Sequence, residues 1–187
     1  MAGTAVTFSG DTSIQCKYTD SDNDWGGLVL NVTAVRYVAE TTKLEIDWST
    51  QFISKSTGRP YIGGLRAAIN GSELFFNTGS PLYNYDYAPY RNQETYLTGT
   101  LTIDAVPGTT QSVAVLVEGL FGRYYSASAW SSYKVSGSGT VSVVVPAAGY
   151  VKVNGAWVNA TPYVKVNGSW VKATPYVKVN GVWTVTK

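Results

Sequence analysis

The side chains best suited to catalysis in this 187-residue sequence are carboxylates, because the chain has no histidine and a single cysteine. Without histidine, Ser-His-Asp and Cys-His nucleophile systems and His-based zinc sites are excluded. Glu73, Asp86 and Glu94 could supply the two carboxylates, ~5–10 Å apart, that a glycosidase needs. With twelve acidic residues in the chain, however, some such pair is always available. No glycine-rich phosphate loop or dinucleotide fingerprint is found either, so the sequence predicts no enzyme, no catalytic residue and no cofactor.

The single cysteine, Cys16, lies in a stretch where apolar and polar residues alternate, and it cannot form an internal disulfide. A reactive thiolate needs a basic neighbourhood, and Lys17 alone does not provide one. We therefore expect Cys16 to be a buried structural thiol.

A cation site is suggested by "DSDNDWGG", where Asp20, Asp22 and Asp24 have the spacing of the first three ligands of a calcium loop. The sixth position of that loop is Trp25 instead of glycine, and the twelfth is Asn31 instead of glutamate. We therefore expect a solvated acidic turn and no metal site, with a low-affinity cation site as the alternative.

A tyrosine-rich stretch, "YNYDYAPYRNQETY", offers the best ligand or partner surface of the first 147 residues. Tyrosines on a loop provide a large, rigid and amphipathic contact area at low entropic cost, and neighbouring polar groups could hydrogen-bond sugar hydroxyls. The candidate residues are Tyr83, Tyr85, Tyr87, Tyr90 and Arg91. The alternative is a strand whose tyrosines cover the end of a sandwich or a subunit interface. A second aromatic cluster, "GRYYSASAWSSY", has the same two interpretations.

The C-terminal 38 residues repeat one phrase with a period of 13. The repeated aromatic positions are Tyr150, Trp157, Tyr163, Trp170, Tyr176 and Trp183. Each Val-Lys-Val is followed by Asn-Gly, which predicts a two-residue type I′ turn. In the first repeat this turn pairs Lys152 with Trp157 and Val151 with Val158. Each repeat is therefore predicted to be a hairpin with a valine face, which needs a partner, and a Tyr-Lys-Trp face, which could be a stacking platform for sugars or choline.

The charge of the chain is uneven. Residues 150–187 contain five lysines and no acid, whereas the preceding residues contain nine basic and twelve acidic side chains, for a net charge of −3. A basic tail can attract an anionic polymer, but a solvated strand face is the simpler interpretation. The N-terminus does not resemble a signal peptide, and no apolar run reaches the ~20 residues of a membrane helix. We expect a protein made in the cytoplasm, with no membrane or nucleic-acid partner.

Period-two alternation indicates that the rest of the chain is all-β. In "KLEIDW", Leu44, Ile46 and Trp48 share one face, and Asn70-Gly71 predicts a hairpin turn. Eight or nine strands between residues 6 and 145 predict an antiparallel sandwich, jelly-roll-like or immunoglobulin-like. We place the domain boundary after residue 147, with a β-sandwich domain over residues 1–147 and three tandem hairpins over residues 148–187.

The "YVKVNGxW" array with Thr-Pro spacers is similar to the C-terminal tails of structural proteins from tailed phages of Gram-positive hosts. The body, with "KLEIDWSTQF" leading to "LRAAINGS", resembles a siphophage minor structural protein family. These resemblances imply a virion protein of a tail, baseplate or head fibre. We expect it to form a homotrimer and to contact other virion proteins and host cell-wall polysaccharide.

A second resemblance is to the choline-binding repeats of Gram-positive surface proteins, carried by "WVKATPYVKVNGVW". Those repeats are longer and richer in tyrosine after the tryptophan, whereas single tryptophans follow each turn here. This resemblance implies a carbohydrate- or cell-wall-binding module, which is the alternative function.

Overall fold

The structure is a computed structural model. It describes residues 3–20, 23–53, 62–78, 95–121, 126–147, 149–154, 156–160, 162–173, 176–179 and 181–185. The first ten strands and the helix are β1 (Thr4–Ala5), β2 (Phe8–Gly10), β3 (Ser13–Asp20), β4 (Asn23–Val38), β5 (Lys43–Ile53), β6 (Ile62–Ile69), β7 (Ser72–Thr78), β8 (Thr95–Asp104), β9 (Thr110–Phe121), α1 (Ala127–Tyr133) and β10 (Val135–Val144). Six short strands follow: β11 (Gly149–Val153), β12 (Ala156–Ala160), β13 (Tyr163–Val166), β14 (Ser169–Lys172), β15 (Tyr176–Val179) and β16 (Val182–Val185).

Strands β1 to β10 form two antiparallel sheets. The first has the order β1-β4-β5-β8, with β3 also paired to β4, and the second has the order β2-β10-β9-β6-β7. Strand β5 pairs with β4 along one edge from Gly27 to Val38, so β3 and β1 follow one another along the other edge. The all-β antiparallel prediction is confirmed. The domain boundary after residue 147 stays a prediction and falls between β10 and β11.

The core lies between the two sheets, and it forms because strand side chains alternate between faces. Along β5 every second side chain is buried, including Leu44, Ile46 and Trp48, as the alternation predicted. Thr50 is also fully buried. Its hydroxyl accepts a hydrogen bond from the backbone N–H of Leu97 and donates one to the carbonyl of Leu97, so this polar group is satisfied in the core. Burial raises the pKa of the Cys16 thiol to about 12, in agreement with a structural role.

Local turn chemistry also agrees with the sequence. Asn70 and Gly71 have φ values of 50° and 78°, and they join β6 to β7 as a two-residue hairpin. The acidic stretch covers the end of β3 and the start of β4, where Asp20 pairs with Asn23 and Thr19 with Asp24. A hairpin ladder at these positions is different from the twelve-residue loop that a calcium site of this spacing requires. Asp22 lies outside the described residues.

The N-terminal segment crosses from the first sheet to the second and back. Strand β1 pairs with β4 of the first sheet, β2 pairs with β10 of the second, and β3 returns to β4. The two sheets come very close at this crossing, because a Cβ added to Gly137 of β10 would overlap the carbonyl oxygen of Gln15 in β3. Asp11 supports the crossing by accepting a hydrogen bond of 3.0 Å from the backbone N–H of Thr140.

The strand interpretation of the second aromatic cluster is wrong for residues 127–133, which form helix α1. Ser126 caps the helix by accepting a hydrogen bond from the N–H of Ala129, and Trp130 packs on Phe76 of β7 with ring centroids 5.0 Å apart. Seven residues make only two turns, so no periodicity was visible in the sequence. In the part of the chain that the structure describes, no helix is long and apolar enough to cross a membrane.

A buried carboxylate fixes the chain after α1 to the outer face of the second sheet. The side chain of Glu118 is 6% exposed, and its oxygens lie 2.5 Å from Lys134 Nζ, 3.2 Å from Arg66 Nη1 and 3.1 Å from Ser136 Oγ. Burial alone would raise the pKa of Glu118. The ion pair with Lys134, together with the hydrogen bonds from Lys134, Ser136 and Arg66, outweighs burial and lowers this pKa below its usual range.

Substituting this carboxylate by an amide tests the network. We expect Glu118→Gln to lower the free energy of unfolding at neutral pH by about 2 kcal/mol, because the amide keeps the shape but loses charge-assisted hydrogen bonds. The folded pKa is depressed, so this contribution is complete above the ordinary glutamate pKa of about 4.3 and is lost as the pH falls through the folded value. Urea unfolding of both proteins from pH 7 to pH 3 should show the difference shrinking below about pH 4.

The matched control is Glu73→Gln. Glu73 contacts the same Arg66 guanidinium at 3.0 Å, but its side chain is 47% exposed. We expect a loss below about 0.5 kcal/mol for this exposed ion pair. Equal losses for the two variants would contradict the assignment of Glu118 as the anchoring group.

Candidate functional site

The tandem hairpins have the register that the Asn-Gly turns predicted. In the second hairpin, Lys165 pairs with Trp170 and Val164 with Val171. Asn167 and Gly168 have φ values of 48° and 85°, the left-handed region that a type I′ turn requires at both central residues. The first hairpin pairs Lys152 with Trp157 and the third pairs Lys178 with Trp183, so the predicted register is confirmed for all three repeats.

One face of the second hairpin is formed by valines. Val164, Val166 and Val171 are 43%, 47% and 48% exposed. Val182 of the third hairpin is 66% exposed. An isolated two-stranded hairpin is marginally stable in water, and here its apolar face is open to solvent. This valine face is therefore a surface that can gain stability by contact with another apolar surface.

The opposite face of the same hairpin is aromatic and basic. Tyr163 is 56% exposed and Trp170 is 69% exposed. The Lys165 ammonium lies 6.0 Å from the centroid of the Trp170 ring, at the outer limit of a cation–π contact. We call this the Tyr-Lys-Trp face. Its ring surfaces suit stacking, and its ammonium suits an anion or the negative end of a dipole.

One hydrogen bond and one proline delimit the hairpin as a unit. The N–H of Ala173 donates a hydrogen bond of 2.9 Å to the carbonyl of Pro162, which closes the open end of the ladder. Pro162 itself lacks an N–H and so limits how far pairing can continue before Tyr163. Each repeat is consequently a separate two-stranded sheet.

The predicted binding residues divide into three groups. The side chains of Tyr163 and Trp170 are described and lie on the Tyr-Lys-Trp face. The strands that contain Tyr150, Trp157, Tyr176 and Trp183 are placed, but these side chains lie outside the described part of the structure. The tyrosine-rich group, namely Tyr83, Tyr85, Tyr87, Tyr90 and Arg91, also lies outside it.

The strand ends that flank the two tyrosine-rich stretches can be located. Thr78, the last residue of β7, pairs with Gly64 of β6, and Phe121, the last residue of β9, pairs with Ile62 of the same strand. The chain therefore leaves the second sheet toward residues 79–94 and toward residues 122–125 at one end of the sandwich. Of the three carboxylates that could have supplied a glycosidase pair, Glu73 is bound to Arg66, and Asp86 and Glu94 lie outside the described residues.

The sequence interpretation missed the cluster around Glu118. Arg66, Glu118 and Ser136 come from three strands, and their hydrogen bonds connect residues 52 and 18 positions apart. No short motif marks such a cluster. The available signal was a glutamate inside a valine-rich strand, because an acid at such a position must find partners when the strand is central.

Comparison of this chain with protein-family models, with curated proteins and with solved structures gave no match. The second hairpin suits binding and assembly, because it presents an apolar face and a cationic aromatic face on one small unit. The same lysine–tryptophan pairing recurs in the other two hairpins.

Proposed function

We propose that this protein is a structural subunit of a bacteriophage virion, a component of the tail, baseplate or head fibre. It assembles as a homotrimer through its C-terminal hairpins and contacts host cell-wall polysaccharide. The resemblance of the "YVKVNGxW" array supports the virion assignment. The observation that carries the assembly is the exposed valine face of the second hairpin.

The exposure of the valine face supports assembly between chains. Val164, Val166 and Val171 lie on one face of the second hairpin and are 43%, 47% and 48% exposed, so the chain itself leaves this apolar surface open. Apolar sheet faces stabilise a protein when they pack against one another. In a trimer, three copies of this face can meet around the threefold axis and enclose a common apolar core, which one hairpin alone cannot form. The occupant of the valine face is thus a second and a third copy of the same chain.

The test removes the apolar character of this face and keeps its shape. We expect the triple substitution Val164→Thr, Val166→Thr and Val171→Thr to weaken self-association. Each change removes about 1 kcal/mol of apolar burial, so the loss is about 3 kcal/mol per chain, or about 100-fold in affinity for each subunit of the trimer. Sedimentation velocity of the full chain measures this.

The matched control for that experiment is Lys165→Thr, which places the same residue type on the opposite face of the same strand. It should leave self-association unchanged. The proposal fails if the full chain is a monomer at micromolar concentration, or if the triple variant assembles as tightly as the wild type.

A carbohydrate- or cell-wall-binding module is the second candidate, favoured by the 69% exposure of Trp170. An indole this exposed offers a stacking surface for a sugar ring. This candidate depends on the Tyr-Lys-Trp face and not on self-association. The valine variant therefore discriminates: a monomeric variant that adheres to Gram-positive cells as well as the wild type would favour the binding module.

A further inference from the structure

We propose that the Tyr-Lys-Trp face binds a polysaccharide that carries negative charge, in preference to a neutral one. This inference rests on the proposed contact with cell-wall glycan and names the chemical class of that glycan. The described residues that carry it are Tyr163, Lys165 and Trp170, all exposed on one face of the second hairpin.

The charge of the repeats is complementary to that of an anionic polymer. All twelve acidic residues of the chain lie between Asp11 and Glu118, whereas residues 150–187 contain five lysines and no acid. An anion that approaches a hairpin therefore meets no carboxylate in the repeats themselves. Lys165 is exposed, and its ring contact at 6.0 Å leaves its ammonium only weakly engaged by the protein.

The exposed indole of Trp170 offers a surface on which a sugar ring can stack. A pyranose presents a face of C–H groups that packs on an indole, while its charged substituents project from the rim of the ring. Trp170 is exposed, and the Lys165 ammonium lies over its ring at 6.0 Å from the centroid. One sugar unit can therefore stack on Trp170 while its own or a neighbouring anionic group reaches Lys165. A neutral sugar would use the first interaction alone.

The pairing of lysine with tryptophan is repeated along the chain. Lysine stands directly opposite tryptophan in each of the three hairpins, at Lys152–Trp157, Lys165–Trp170 and Lys178–Trp183. Three such lysine–tryptophan pairs on one chain suit a polymer with a repeating charged unit. After the first subsite is occupied, the others bind at the effective concentration that the connecting chain sets, so weak individual contacts add up to strong attachment.

Charge density favours a sparsely charged glycan over nucleic acid. Double-stranded DNA carries about one negative charge per 1.7 Å, and its binding depends on neutralising many phosphates at once. One lysine opposite each tryptophan gives a low density of positive charge, and the residues before the repeats carry a net charge of −3 that repels a dense polyanion. A glycan with widely spaced anions matches the hairpins and is repelled less.

The experiment compares four polymers of similar length on the full chain by isothermal titration calorimetry. They are hyaluronan fragments with a carboxylate on every second sugar, neutral dextran, inorganic polyphosphate, and a single-stranded oligothymidine. We expect hyaluronan to bind at least about tenfold more tightly than dextran or polyphosphate, since of these three polymers hyaluronan alone combines a stacking ring with charge. Equal binding of dextran would overturn the requirement for charge. Equal binding of polyphosphate would overturn the role of the ring, and tighter binding of oligothymidine would indicate a nucleic-acid surface instead.

Two single substitutions test the residues, and each removes one positive charge. Lys165→Gln should weaken hyaluronan binding about threefold and reduce its salt dependence, while dextran binding stays unchanged. Lys43→Gln is the control, because Lys43 lies on β5 and is bound to Asp104 at 2.6 Å. It should change hyaluronan binding by less than about 1.5-fold, since a distant exposed charge is largely screened by salt. Equal effects of the two variants would mean that net charge alone decides, which overturns the assigned face.

Light scattering of the same samples separates this inference from the proposed assembly. A monomeric chain that still prefers hyaluronan contradicts the assembly and supports the binding face. A trimer that binds none of the four polymers contradicts the binding face and leaves the assembly standing.

Discussion

A chain ending at Ala147 is expected to be a folded monomer, whereas the full chain is an oligomer. Among the side chains that the structure describes, the buried core cluster extends from Ile14 to Val145, so the truncation removes none of these. The melting temperature of the truncated protein at low concentration should therefore lie within about 3 °C of that of the full chain, equivalent to less than about 1 kcal/mol. What the truncation removes is the valine faces, and with them the proposed contact between chains.

The concentration dependence of melting is the sharper measurement. An interface that exists only in the folded state stabilises a protein by mass action, so the melting temperature of the full chain should rise with concentration. The truncated chain should show no such rise over an about hundredfold range of concentration. A truncated chain that still assembles would place the interface in the sandwich. A truncated chain that is unfolded would show that the boundary near residue 147 is wrong.

Gly137→Ala is expected to be the most destabilising single methyl addition on β10. The added Cβ would overlap the carbonyl oxygen of Gln15 and would lie 2.5 Å from its carbonyl carbon. Both are backbone atoms, so no side-chain rotation relieves the clash, and the two sheets must separate at the crossing of β3 and β10. We expect a loss of about 3 kcal/mol in the free energy of unfolding, the upper range for overpacked sites. This corresponds to a melting temperature about 6–12 °C lower by differential scanning calorimetry.

Two controls separate the clash from other costs of replacing glycine. Gly71 has a φ of +78°, and a Cβ added there would have no atom within 4 Å, so Gly71→Ala adds backbone strain without a clash. It should cost about 1 kcal/mol. Ser138→Ala, at the exposed next position of β10, should cost less than about 0.5 kcal/mol. If Gly137→Ala cost no more than Gly71→Ala, the close approach of the sheets would be contradicted.

Strands and turns were readable from the sequence because their signals are local. The alternation of Leu44, Ile46 and Trp48 places every second side chain on the core face whatever the partner strands are. The Asn-Gly pairs specify left-handed backbone at two successive residues, and this alone sets the pairing of a hairpin. Helix α1 was not readable, since seven residues are too few for periodicity. Its packing also depends on distant strands: Trp130 contacts Phe76, and Lys134, directly after the helix, contacts Glu118.

In the second hairpin, too, the sequence determines some features and the tertiary structure determines others. The order of residues is enough to place Lys165 opposite Trp170 and Val164 opposite Val171, because a two-residue turn fixes the register and the pleat then assigns each side chain to a face. The order of residues does not say that both faces of this hairpin stay open to solvent while Glu118, a charged residue, is almost completely buried. Register follows from neighbours along the chain, whereas burial depends on which distant elements pack against a surface. For that reason only the tertiary structure shows that the valine face is exposed and that Glu118 is buried.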